Sequence, residues 1–306
     1  MFENVILKKF LLFFHEVRIE LTIFALPFAY LSLILVEDGL PTLQTFIWIT
    51  LAMIGIRNFG MGINRVIDYS IDAKNPRTAN RALVNGSIRK WEMALFLILM
   101  AIIFIYGVYN LSFWAKLLSP VAILLVITYP YAKRVTWASH LVLGIIYASV
   151  PNGVYIAITN QINFESILLG IGAGFWSAGF DVIYSTADIE IDQSQGLYSI
   201  PAIFGISKAL LIAKFFHAGT IIFLTLAGII LGSGVIYYIG IIVSILALLL
   251  RPEGLLRLTL PGVHPIPFSQ MIGTSWLISF SILFTKGKLF NISNKRFIFL
   301  NLFVFF

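Results

Sequence analysis

Apolar runs of helical length, separated by short polar links, repeat along the whole chain. A helix needs about 20 apolar residues to cross a hydrocarbon core of roughly 30 Å. Nine such runs fall at about 19–36, 42–65, 91–110, 114–131, 139–159, 165–187, 206–231, 233–250 and 265–285. No alternating pattern of a membrane barrel interrupts them. The predicted class is therefore all-α: a polytopic membrane protein with nine transmembrane helices in a single domain over 1–306. Residues 1–17 carry Lys8 and Lys9 on a short apolar run with no small-residue cleavage site after it, so they are expected to form an interfacial segment rather than a signal peptide. Residues 286–306 form a tail whose last six residues, NLFVFF, are expected to lie on the membrane.

The links alternate in charge. The first carries Glu37 and Asp38 and no base, whereas the second carries Lys74, Arg77, Arg81, Arg89 and Lys90. The fourth carries Lys133, Arg134 and His140, the fifth only Glu165, and the eighth Arg251 and Arg257. The positive-inside rule then places the N-terminus and the even links in the cytoplasm, and the odd number of spans sends the C-terminus out. The basic tail residues Lys286, Lys288, Lys295 and Arg296 run against that assignment. Composition narrows the class further: 59% hydrophobic and 11% charged residues, with a mean hydropathy of +0.94, exclude a soluble globular chain. The net charge of +7 follows from the cytoplasmic links and does not call for nucleic acid. The absence of cysteine excludes thiol catalysis, disulfides and thiolate metal sites.

Two polar stretches stand out against this background. NRVIDYSID spaces Asn64, Asp68 and Asp72 four residues apart, and DVIYSTADIEID does the same for Asp188 and Asp192. Four-residue spacing stacks side chains on one helical face, so each stretch offers a column of oxygen ligands at the end of a span. Carboxylates there need compensation and are functional candidates by default. Four spans separate the stretches, which puts both on one side of the membrane and suggests a parallel pair of pseudo-repeats with a site between them. Hard oxygen donors without clustered His or Cys favour Mg²⁺, which is held by one or two carboxylates together with phosphate oxygens. A magnesium-dependent enzyme acting on a diphosphate at the membrane surface is the reading this supports.

Basic groups accompany the columns. Arg77, Arg81, Lys133 and Arg134 suit the outer oxygens of a diphosphate, and Asn75-Pro76-Arg77 breaks the helix so that the second link can fold over the site as a lid. Arg57 lies two turns deeper than Asn64 on the same face, and two readings stay open for it: a partner for a buried acid such as Asp181, or a clamp for the carboxylate of an acceptor substrate. Asp181, seven residues before Asp188, either completes the second column through water or neutralises Arg57 or Lys133. Of Phe59, Tyr129, Tyr131, Phe175, Trp176 and Phe180, most are expected to pack or face lipid, and a few to line an apolar chamber that shields a carbocation.

Together these residues resemble the UbiA superfamily of intramembrane prenyltransferases. RNFGMGINRVIDYSIDAKNPRTANR is similar to its first signature, TYPYAKRVTW to its central Tyr-Lys segment, and GFDVIYSTADIEIDQSQGLYSIPAIFG to its second. TIFALPFAYL resembles its opening segment. The resemblance implies helices around a central cavity that opens sideways to the lipid bilayer, with Asn64, Asp68, Asp72, Asp188 and Asp192 holding Mg²⁺ against the diphosphate of an isoprenyl donor. It implies diphosphate contacts from Lys133, Arg134 and Arg77 or Arg81, an aromatic acid acceptor on Arg57, and Tyr129, Asp181 and Tyr184 at the substrates. NPRTANR with the second signature is most similar to the polyprenyltransferases of ubiquinone and menaquinone synthesis, the 4-hydroxybenzoate type, with a naphthoate acceptor as the alternative. Two departures are Val84-Asn85-Gly86 where members often carry Pro-Ala-Gly, and Tyr184 where some carry a further Asp. The chief rival outside the enzymes is a cation transporter, which leaves NPRTANR unexplained.

Overall fold

Backbone groups in hydrocarbon must be satisfied within the chain, and the apolar runs answer this as helices. The computed structural model describes residues 2–37 and 40–249. Within them lie α1 (Phe2–Glu16), α2 (Ile19–Val36), α3 (Leu43–Ile67), α4 (Tyr69–Asp72), α5 (Lys90–Tyr109), α6 (Phe113–Ala132), α7 (Ser139–Thr159), α8 (Phe164–Ser185), a 3₁₀ turn at Thr186–Asp188, α9 (Ile189–Ser194), α10 (Ile200–Ile230) and α11 (Val235–Leu249). No strand occurs among the described residues. Among the described residues, six helices are long and apolar enough to cross a bilayer, while the stretches Ala25–Val36 and Tyr237–Leu246 form shorter apolar helices. Each expected span up to residue 250 therefore corresponds to a helix, in keeping with an integral multi-pass membrane protein. The expected ninth span at 265–285, the tail at 286–306, and Arg251 and Arg257 lie outside the described residues.

Short polar side chains start the helices. Thr42 Oγ1 accepts from Thr45 N at 3.1 Å before α3, and Asn163 Oδ1 accepts from Ser166 N at 2.8 Å before α8, each satisfying an amide that the first turn leaves open. In α10 the backbone leaves the helix at Gly205 (φ 77°), a left-handed conformation that glycine adopts without strain. The uninterrupted part begins after it, at the expected start of the seventh span.

Small residues set the closest crossings. A Cβ built on Gly174 of α8 would lie 2.7 Å from the Gly144 carbonyl oxygen of α7, and one on Gly55 of α3 would lie 2.4 Å from the Phe104 nitrogen of α5. Such contacts let helix backbones approach in a bilayer, where water supplies no hydrophobic drive between helices. Helix α8 is the most enclosed span, and its Trp176 is fully buried between Phe28 and Phe180, with ring centroids 5.1 and 4.6 Å away. In contrast, α6 has only Pro130 fully buried, the rest of the helix being half-buried or exposed.

The N-terminal segment is a helix that anchors the second link. Glu16, 3% exposed at the end of α1, accepts from Ala82 N at 2.8 Å through Oε2, and its carbonyl accepts from Arg65 Nε at 3.1 Å. Ala82, Leu83 and Ile88 pack with Met93 and Leu97, and Leu12 and Phe13 of α1 lean on them. The link is thus a packed cap. At the departure noted above, Asn85 Oδ1 accepts from Ser87 N at 2.9 Å, and Gly86 turns through φ 82°.

Candidate active site

The first acidic run is not one unbroken helix. Helix α3 ends at Ile67, Asp68 is its C-cap at φ −88° and ψ 7°, and α4 is a separate turn. Ile71 N bonds the Asp68 carbonyl at 2.9 Å, which frees the Ile67 carbonyl, and Arg134 Nη2 donates to that oxygen at 2.7 Å. The Arg134 Nη2 also reaches Asp68 Oδ1 at 3.1 Å, while Lys133 Nζ lies 2.7 Å from Oδ2. Asn64 Nδ2 adds a bond to Oδ2 at 3.2 Å. Asp68, 2% exposed, is thereby fully neutralised. Asp72 pairs with Arg81, and its carbonyl accepts from Thr78 Oγ1 at 2.9 Å.

The second run is also segmented: Asp188 ends the 3₁₀ turn and Asp192 sits in α9. Arg77 grips Asp188 with two nitrogens, Nε at 2.9 Å from Oδ1 and Nη2 at Oδ2, while its Nη1 donates to the Tyr184 hydroxyl at 3.0 Å. Burial works against the Arg77 charge, but Asp188 and Tyr184 outweigh it and hold its pKa above the ordinary arginine value. Asn75 Nδ2 donates to Asp188 Oδ1 at 3.0 Å, and Asn75 Oδ1 accepts from Arg77 N at 2.9 Å. Asp192 Oδ2 accepts from Ser199 Oγ at 2.8 Å. Further ties between the halves run from Gln195 Nε2 to the Ile71 carbonyl at 3.4 Å and from Tyr198 N to the Lys133 carbonyl at 2.7 Å.

Both runs open onto one cavity of about 490 Å³. Asn64, Asp68, Asp72, Asp188 and Asp192 line its polar end together with Arg77, Arg81, Lys133 and Tyr184, and Tyr129, Arg57 and Asp181 also line it. Beyond them the wall is apolar, from Met53 and Ile56 of α3 and Val126 of α6 to Val108, Leu111 and Ala157. Next to that end, Ser112 ties the α5–α6 link to α7, bonding the Ile156 carbonyl through Oγ at 2.6 Å and the Ala157 carbonyl through its backbone nitrogen at 3.1 Å.

Several expectations are sharpened or corrected by these positions. Arg134 does not line the cavity but braces Asp68. Asp181 pairs with His140 Nδ1 at 2.7 Å, in place of Arg57 or Lys133. Arg57 lines the cavity and hydrogen-bonds Tyr147, and its buried Nε has no hydrogen-bond partner among the described residues. Of the aromatic set, Tyr129 and Phe180 line the cavity; Phe59, Phe175 and Trp176 pack elsewhere, and Tyr131 is exposed. Asn75, His140, Tyr147 and Ser199 were not singled out as site residues in the sequence. Asn75-Pro76-Arg77 did carry a signal for the first of them, since an Asn side chain commonly bonds the backbone two residues on.

Among the described residues no group of three or more His, Cys, Asp or Glu side chains is arranged to hold a metal ion alone. The donor set at the mouth is nevertheless of hard oxygens only, four carboxylates and an amide. That chemistry fits Mg²⁺, which needs few protein ligands when phosphate oxygens complete its shell.

Comparisons with known proteins place the chain in a family. Residues 25–256 match the UbiA prenyltransferase family. The chain is 31% identical over 214 residues to a 4-hydroxybenzoate octaprenyltransferase of Aliivibrio fischeri (strain ATCC 700601 / ES114), covering 70% of this chain and 74% of that protein. It is similar in structure to a UbiA homolog from Aeropyrum pernix K1, solved in its apo form, with a TM-score of 0.75, 32% identity, and coverage of 86% of this chain and 95% of that one. A UbiA homolog from Archaeoglobus fulgidus, solved bound to GPP and Mg²⁺, shares the fold with a TM-score of 0.69 at 16% identity, covering 92% of this chain and 100% of that one.

Proposed function

We propose that the chain, which belongs to the UbiA prenyltransferase family and is a prenyltransferase, moves a polyprenyl group from its diphosphate to an aromatic acid of the 4-hydroxybenzoate type. The observation that carries this reading is the meeting of both acidic runs with Arg77, Arg81 and Lys133 at the polar mouth of an otherwise apolar cavity. The Aliivibrio relative named for octaprenyl transfer to 4-hydroxybenzoate and the Archaeoglobus homolog bound to GPP and Mg²⁺ support it. The product would serve ubiquinone or menaquinone synthesis, with a naphthoate acid as the alternative acceptor. The site would face the cytoplasm, on the side of the basic links.

In this reading Asn64, Asp68, Asp72, Asp188 and Asp192 would hold Mg²⁺, which supplies positive charge to the departing diphosphate. Arg77, Arg81 and Lys133 would exchange their carboxylate partners for diphosphate oxygens, with Arg134 keeping Asp68 and the end of α3 in place. The donor's chain would lie along the apolar wall, where water is excluded and an allylic cation survives long enough to meet the acceptor. Arg57, whose Nε has no partner among the described residues, would receive the acceptor carboxylate, with Tyr129 and Tyr147 beside the ring. Tyr184 would steady Arg77 at the diphosphate.

Membranes containing the protein, given labelled geranyl or longer diphosphates and a panel of aromatic acids with Mg²⁺, should yield a lipid-soluble prenylated acid. Chelation should stop its formation, and Asp68→Ala or Asp188→Ala should lower turnover by about 10²–10³-fold or more while the protein stays inserted. Absence of product with every acceptor, or full activity in either variant, would overturn the reading.

A further inference from the structure

Asp181 differs from three of the four acids at the mouth. Asp68, Asp72 and Asp188 each face a lysine or arginine, whereas the partner of Asp181 among the described residues is His140. His140 is 3% exposed at the start of α7, and both of its ring nitrogens are engaged. Its Nε2 accepts from Ile200 N at 3.2 Å, and its Nδ1 lies 2.7 Å from Asp181 Oδ2. A backbone N–H can only donate, so Nε2 presents its lone pair and the single ring proton sits on Nδ1, pointing at Asp181. An imidazolium, a donor at both nitrogens, does not fit between these partners. The neutral ring therefore orients Asp181 and hydrogen-bonds its charged form without cancelling its charge. Asp181 itself lines the cavity with Arg57, Tyr129 and Tyr147, and its charge and that of Arg57 both act on the two tyrosines.

We propose that Asp181 takes the proton that the aromatic acceptor loses, with His140 as its positioning residue. The inference rests on the function proposed above. Formation of the new C–C bond leaves the ring cationic and the substituted carbon still bearing hydrogen. That C–H bond breaks, its electron pair returns to the ring, and the proton moves to Asp181 Oδ1, the oxygen not held by His140. The cationic ring and the carboxylate both become neutral, and the acid then releases its proton to water at the mouth of the cavity.

The test compares single-turnover rates for an acceptor carrying hydrogen or deuterium at the carbon that is alkylated. The wild-type protein is expected to show no isotope effect, as when ionisation of the donor limits the rate. Asp181→Asn should slow transfer by about 10²–10⁴-fold and make proton removal limiting, with an isotope effect of about twofold or more. Asp181→Glu, which restores a carboxylate one methylene away, should recover part of the rate. Binding of an unreactive thiolodiphosphate donor analogue reports whether the site of Asp181→Asn is intact; if that binding is lost, the Asp181→Glu protein carries the test and must itself show the isotope effect. A wild-type rate in Asp181→Asn, or a slow rate insensitive to deuterium with analogue binding retained, overturns the proposal. If the wild-type protein prenylates no aromatic acid, the underlying function fails instead.

Discussion

Asn75 Nδ2 donates to Asp188 Oδ1 at 3.0 Å, joining the loop that follows the first acidic run to the second run 113 positions later. Arg77 strengthens the tie with its paired contacts to the same carboxylate. The second link, anchored at its far side by Glu16, is therefore fastened to both halves of the bundle at once.

Arg77→Lys keeps the charge but loses the planar fork that spans both oxygens of Asp188 and reaches Tyr184. Charged hydrogen bonds contribute about 1.5–3 kcal/mol each, so donor KM should rise by roughly 10-fold or more, with acceptor KM little changed. Separate titrations of the two substrates check this. An equal rise in both would show that the residue maintains the bundle as a whole.

Every carboxylate that faces a base at the mouth must give up that base when a metal ion arrives, and every base must give up its carboxylate when a diphosphate arrives. Either ligand alone leaves charges unpaired at the partly buried mouth, whereas both together restore the balance. Mg²⁺ and inorganic diphosphate should thus raise each other's affinity by the same factor, about 5–150-fold. Calorimetric titration of each with and without the other measures this, and independent binding would rule out the exchange of partners.

Arg57→Gln should raise the KM of a carboxylated acceptor by roughly 10–100-fold, the cost of losing a charge-assisted contact in the cavity. A neutral phenol of similar shape should be used about as well by the variant as by the wild-type protein. A loss shared by both acceptors would instead mark Arg57 as a support for Tyr147.

Gly174→Leu places a side chain where even a Cβ would meet the Gly144 carbonyl oxygen at 2.7 Å. The crossing of α7 and α8 must open, at a cost of about 1–3 kcal/mol or more. A lower unfolding temperature in detergent, together with loss of the His140–Asp181 contact that spans the same two helices, is the expected outcome.

Much of this protein was legible in the chain itself. A run of apolar residues long enough to cross a membrane is a local property, so each expected span up to residue 250 was found as a helix. The acidic runs could be singled out because a carboxylate beside a span needs compensation wherever the rest of the chain goes. The choice of compensating partner was a different matter. That Asp181 meets His140 and not Arg57, that Arg134 braces Asp68 from outside the cavity, and that Trp176 is packed against Phe28 all depend on how each helix is rotated about its axis. Rotation is set by contacts between distant glycines and their neighbours, such as Gly144 with Gly174 and Gly55 with Phe104. Spacing along one helix says which side chains share a face; only the crossing of two helices decides what that face meets.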